Sequence, residues 1–101
     1  MWIALNDAFI SIVDKAKDKS CLMVRARRTG DIEAVFADAK VVADAGIDYK
    51  YRAEVNREAV AAAISARIMG INYSNFKGSV HDHKRHNAYM KVWELMSAFQ
   101  K

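Results

Sequence analysis

The residue types with the widest chemical range in this chain fall in one short run, His81-Asp82-His83-Lys84-Arg85-His86. It holds all three histidines, side chains that titrate near neutrality and serve as acid, base or metal ligand. Spacing decides which of these roles is open. On a helix, Asp82 and His86 stand at i,i+4 and Asp82 and Arg85 at i,i+3, so the three share a face. One chemistry that follows is an imidazole, His86, oriented by the carboxylate of Asp82. It would act as acid or base on a phosphorylated or nucleic-acid substrate, with Lys77 and Arg85 clamping the anion. The structural alternative needs no substrate. Asp82 would cap the helix N-terminus and favour its dipole, and the two side-chain pairs would add roughly tenths of a kcal/mol. A metal site is a third reading, because Asp82, His83 and His86 lie within about one quadrant of the helical wheel. His83 and His86 are too close in sequence for the usual ligand pair, no HExxH or CxxC spacing supports them, and His81 points the other way. No metal and no cofactor is therefore expected.

The element that must position this run is a helix from Ser79 to about Phe99. Ser79-Val80-His81-Asp82 fits a capping box in its acidic form, and Gly78 frees the chain to turn in. At 100° per residue, Tyr89, Val92, Trp93, Met96 and Phe99 fall on one arc, which calls for burial. The same arc projected backwards contains Asp82, Arg85 and His86. Just upstream, Ser74 to Ser79 offers an anion cradle at the helix start with Lys77 as donor. It lacks the GxxxxGK[ST] spacing of a P-loop. Ser74 or Ser79 with His86 and Asp82 are the residue types of a hydrolase, but no nucleophile elbow is present. Cys21, the lone cysteine, reads as a strand residue rather than a nucleophile.

The rest of the chain reads as strands and short helices. Residues 8–13 are β-branched and aromatic and predict a strand, with residues 2–5 extending it or forming a separate edge segment. Residues 14–20 are a polar connection. Residues 21–28 alternate as a second strand, Leu22, Val24 and Ala26 against Met23, Arg25 and Arg27. Asp31 reads as the N-cap of a short helix carrying Ile32, Val35, Phe36 and Ala39. Residues 41–44 form a third strand, residues 44–46 turn the chain, and residues 47–55 form a fourth. In that strand Tyr49, Tyr51, Ala53 and Val55 take one face and Lys50, Arg52 and Glu54 the other. Asn56 caps a helix that runs to about Met69 and stops at Gly70. Tyr73 and Phe76 pin the connection to the last helix. The order β-β-α-β-β-α-α predicts a single-domain α+β fold, a ferredoxin-like two-layer sandwich with a four-stranded, mainly antiparallel sheet and its helices on one face. The expected strand order is 1-2-4-3.

That topology has a chemical consequence. The apolar faces of the second and fourth strands turn to the helices, so Met23, Arg25 and Arg27 emerge beside Lys50, Arg52 and Glu54. Four cations on an open sheet suit a phosphate backbone. The surface would differ from that of an RRM, which stacks bases on aromatic side chains, because Tyr49 and Tyr51 are expected to face inward. A solvated sheet face neutralised by Glu54 and Asp44 is the simpler alternative.

Composition sets the outer bounds. The chain has 101 residues, 52% hydrophobic and 28% charged, which fits one small globular domain and excludes a disordered chain. Proline is absent and glycine numbers four, so long flexible linkers are not expected. The N-terminal segment has no basic n-region and Asp7 cuts its apolar run, unlike a signal peptide. No run reaches transmembrane length. With one cysteine this reads as a cytoplasmic protein with no membrane partner. The net charge of +4 and the pI near 9.3 permit a polyanionic partner.

Several phrases resemble a family of short, uncharacterised bacterial proteins of about this length. They are Met1-Trp2-Ile3, Asp7-Ala8-Phe9-Ile10-Ser11-Ile12-Val13, Leu22-Met23-Val24-Arg25-Ala26-Arg27, Gly30-Asp31-Ile32-Glu33, Asp48-Tyr49-Lys50-Tyr51-Arg52-Ala53, Asn75-Phe76-Lys77 and His86-Asn87-Ala88-Tyr89-Met90-Lys91-Val92-Trp93. The likeness spans nearly the whole chain and implies no activity. Where similar proteins have proline near Phe36 this chain has Ala37, which loosens that helix end.

Three functional readings follow. The first is a non-catalytic module that contacts nucleic acid or an acidic protein surface through Arg25, Arg27, Lys50 and Arg52. A mobile-element-encoded regulator, or an inhibitor of nucleic-acid machinery such as an anti-CRISPR protein, falls in this class. The second is the His86 enzyme. The third is an oligomerising domain, a homodimer that buries sheet edges or the stripe through Trp93 and Phe99.

Overall fold

The structure, a computed structural model, describes residues 1–44 and 48–101. The chain forms two compact units, Met1–Ile71 and Asn72–Lys101. No helix among the described residues is long and apolar enough to cross a membrane.

The first unit contains β1 (Trp2–Ala4), β2 (Phe9–Val13), β3 (Cys21–Ala26), α1 (Asp31–Val35), β4 (Val42–Ala43), β5 (Tyr51–Asn56) and α2 (Arg57–Met69). The strands make one antiparallel sheet in the order β1-β2-β3-β5-β4. The class is α+β. The expected four-stranded, ferredoxin-like sheet is corrected to five strands, because Trp2–Ala4 pairs separately along β2. A tight turn explains this: the Leu5 N–H donates to the Ala8 carbonyl at 2.7 Å. The terminal ammonium of Met1 donates to the Ile12 carbonyl at 2.9 Å and so closes the far end.

Register sorts the side chains. Ile10 pairs with Ala26 and Ala26 with Tyr51; Ile12 pairs with Val24 and Val24 with Ala53. Cross-strand partners share a face, so these residues line one side. There they meet Ile32 and Phe36, from α1 and its C-cap, and Val60 of α2 in the buried core. The small side chains of α2 allow this approach, and its start is fixed by Asn56, whose side chain accepts the Glu58 N–H.

Several boundaries differ from expectation. α1 ends at Val35 because Phe36 leaves the helical region at φ −125°, and Gly30 precedes α1 at φ +91°, a conformation that favours glycine. Asp31 is the first residue of α1 rather than its cap. Its buried carboxylate reaches across to accept the Phe9 N–H at 2.9 Å. β5 begins at Tyr51, not at residue 47; residues 45–47, part of the expected turn and fourth strand, lie outside the described residues. The 14–20 connection is ordered by Asp18. Its carboxylate accepts the Ser20 hydroxyl at 2.7 Å and the Ser20 N–H at 2.9 Å, which together lower its pKa. The folded state holds this carboxyl as the stronger acid. Its contribution is present above the ordinary carboxylate range and lost as pH falls through the lower folded value.

The second unit contains a 3-10 turn (Lys77–Ser79) and α3 (His83–Phe99). The expected Ser79 capping box is corrected: Asp82 is the N-cap, accepting the Arg85 N–H at 2.8 Å, and the Ser79 hydroxyl donates to the Phe76 carbonyl at 2.6 Å. Tyr73, Phe76 and Tyr89 form an aromatic ladder, with centroids 5.9 and 5.6 Å apart.

The Asp31–Phe9 bond yields a stability test. Asp31→Ala removes the buried carboxylate that accepts the Phe9 N–H. It is expected to lower unfolding free energy by about 1–3 kcal/mol in urea titration, whereas an exposed Asp38→Ala control is expected to leave it within about 0.5 kcal/mol.

Candidate functional site

The sheet face opposite α1 and α2 carries a continuous cross-strand row. Trp2 pairs with Ser11, Ser11 with Arg25, Arg25 with Arg52, and Arg52 with Val42. Two arginines therefore stand directly opposite each other on β3 and β5, an arrangement that repels. Arg25 Nη2 donates to the hydroxyl of the fully buried Ser11 at 2.8 Å. The Nε atoms of both arginines are shielded from solvent and have no hydrogen-bond partner. Among the described residues neither guanidinium forms an ion pair. Glu54, opposite Met23 on the same face, instead accepts the Lys17 N–H at 2.9 Å.

Tyr49 joins this face. The guanidinium carbons of Arg25 and Arg27 lie 4.4 and 4.2 Å from its ring centroid, and only 3% of the residue is exposed. The expectation that Tyr49 faces the core with Tyr51 is corrected. The alternation of β5 begins at Tyr51 and does not extend back to residue 49. Arg27 lies just past β3, where Nη1 donates to the carbonyl of Asp48 at 2.9 Å and to its carboxylate at 3.1 Å. Lys50 does not join the arginines. Its ammonium lies 3.7 Å from the Asp44 carboxylate and over the ring of Tyr51, which packs against the core. The expected group of four cations is thus three arginines and a tyrosine. Trp2 and Phe9, missed as site residues, also lie on this face, with ring centroids 6.4 Å apart. Their signal was the Trp-x-x…Phe spacing across the first turn, readable only once β1 is known to pair.

The histidine run is used differently. The Asp82 carboxylate accepts the Arg85 N–H as a helix cap, and the His86 N–H donates to the Asp82 carbonyl at 2.8 Å as an ordinary helical bond. His83 faces the Asn87 amide at 3.4 Å. Arg85 is buried, and the Lys77 ammonium sits 5.0 Å from the Trp93 ring centroid. Lys77 lies in the 3-10 turn, and α3 starts only at His83, so the run from Ser74 to Ser79 does not lead directly into the helix. Among the described residues no three His, Cys, Asp or Glu side chains converge as a metal-binding group. Along α3, Val92, Trp93, Met96 and Phe99 are exposed while Tyr89 is buried, so the expected apolar arc is covered at one end only.

On the helix side of the first unit a groove of about 550 Å³ is lined by Ile3, Ile12, Leu22, Ile64 and other apolar side chains. Its charged members, Asp14 and Arg57, pair with each other at 3.0 Å.

No family model, curated protein or solved structure matches this chain.

The opposed arginines make a prediction about stability. Arg52→Gln keeps most of the side-chain length and removes one of two repelling charges. It is expected to raise stability by about 0.2–1 kcal/mol at low ionic strength. The gain should shrink as salt is added, which urea titration at two salt concentrations would show. Equal stability of variant and wild type at both concentrations would mean that the pair is already neutralised.

Proposed function

We propose that this chain is a small cytoplasmic, non-catalytic module that binds nucleic acid on the arginine-bearing face of its sheet. One observation supports this above the others: Arg25 and Arg52 stand directly opposite each other, and among the described residues neither guanidinium has a counter-ion. A phosphodiester supplies the missing charge, and its oxygens match the fork of a guanidinium. The cost of opposing two cations is then offset on binding. Tyr49 stacks beneath Arg25 and Arg27 and limits their freedom, so less rotamer entropy is lost when the anion arrives. A module of this kind suits a regulator or inhibitor of nucleic-acid machinery.

The test is binding of labelled nucleic acid by anisotropy, with a salt series. Wild-type affinity should fall with a log–log slope of roughly −0.7 to −0.9 per phosphate engaged. Arg25→Glu/Arg52→Glu is expected to weaken binding at least about tenfold, since each charged hydrogen bond is worth roughly 1.5–3 kcal/mol, and to flatten the slope. His86→Ala should change neither. A lysate partner that survives nuclease but not the double substitution would replace nucleic acid with an acidic protein surface. An activity abolished by His86→Ala in a folded protein would overturn the non-catalytic assignment.

A further inference from the structure

The row that carries the arginines also carries an exposed tryptophan. Trp2 is 74% exposed, far more than is usual for so large an apolar side chain. It lies on β1, at the edge of the sheet, in register with Ser11 and through it with Arg25 and Arg52. Its contact with Phe9 is tilted, at 55° between ring planes, which sets the indole at an angle to the Phe9 ring rather than flat against it. Two strand spacings, about 10 Å, separate the backbone of β1 from that of β3. An arginine side chain and one extended nucleotide can bridge that distance together.

Each candidate partner would use this row differently. An acidic protein offers carboxylates to the arginines but no planar group required by the tryptophan. A duplex offers phosphates while its base faces are stacked inside the helix, so a flat sheet reaches only backbone. A single strand offers both, phosphates for a basic groove and unstacked bases for an aromatic platform. Resting on the nucleic-acid reading above, we infer that this face takes a single strand, with one base stacked on Trp2 and an adjacent phosphate held by Arg25 and Arg52. The stacking term is tolerant of base identity because every base has a π-face, so binding is weakly sequence-selective.

The experiment uses the full chain carrying Trp93→Phe, which leaves Trp2 as the sole tryptophan. Its fluorescence is followed during titration with a short oligothymidylate, with the corresponding duplex, and with heparin, a polyanion without bases. The oligothymidylate is expected to quench Trp2 and to bind more tightly than the duplex; heparin is expected to bind without quenching. Trp2→Ala should cost the oligothymidylate roughly 5- to 100-fold in affinity and leave heparin affinity unchanged, and Trp2→Phe should recover part of the loss. Three results would overturn the inference while leaving the nucleic-acid reading in place. They are an oligothymidylate that binds without quenching, a duplex that binds as tightly as the single strand, or a Trp2→Ala variant that keeps the wild-type circular dichroism yet weakens oligothymidylate and heparin alike. Absence of binding by heparin and both nucleic acids would instead remove the reading on which the inference rests.

Discussion

The register of β3 against β5 is the constraint on which the first unit depends. It pairs Val24 with Ala53 and Arg25 with Arg52 on successive residues. The first pair is sealed in the core beneath Ile32, Phe36 and Val60; the second is turned to the opposite face. Because side chains alternate strictly, a slip of one residue would bury two guanidiniums and expose the core. The hydrophobic face alone is strong enough to prevent that. The repulsion between the arginines is thus imposed by the same register that makes the core, and among the described residues the pair has no counter-ion. Sequences that bear such a local conflict usually do so at a functional position.

How much of this could be read from the sequence follows from element length. α2 was legible at both ends, since Asn56 and Gly70 are unambiguous signals and thirteen residues give a clear pattern. β2 and β3 were legible from β-branched content and alternation. β1 and β4 have three and two residues, too few for a period to fix their ends: residues 41–44 read as a strand of which Val42–Ala43 pair, and residues 2–5 read equally as an extension of the next strand or as an edge of their own. The start of α3 was misplaced by a real chemical ambiguity. Ser79 and Asp82 are both good caps, and the competing 3-10 turn takes the serine hydroxyl for the Phe76 carbonyl. Asp31 shows a second limit. Its residue type announced a cap, but its acceptor was claimed by Phe9, twenty-two residues earlier.

The site was legible to the same degree. Alternation along two strands was enough to bring Arg25 beside Arg52. It failed where the strands end. Carrying the period back from Tyr51 to Tyr49 put the tyrosine on the wrong face, and the same error put Lys50 among the arginines. The actual positions follow from short-range forces that periodicity does not encode: guanidinium stacking on Tyr49, and the pairing of Lys50 with Asp44. Trp2 was overlooked because its meaning lies in the five-strand row it completes.

The two regions that first drew notice differ in how their polar groups are used. In the histidine run the Asp82 carboxylate serves its own helix, and the capped Arg85 N–H is one of the first-turn donors that any helix must satisfy. The carboxylate that would orient an imidazole is here used by its own helix. On the sheet, both arginine Nε–H groups are without an acceptor among the described residues, and no described carboxylate pairs with either guanidinium. A buried donor left unmade costs more than an ordinary bond contributes. That asymmetry is what separates a cap from a site. The residues to follow are the ones whose hydrogen bonding the fold leaves open, and here they stand in line with an exposed indole.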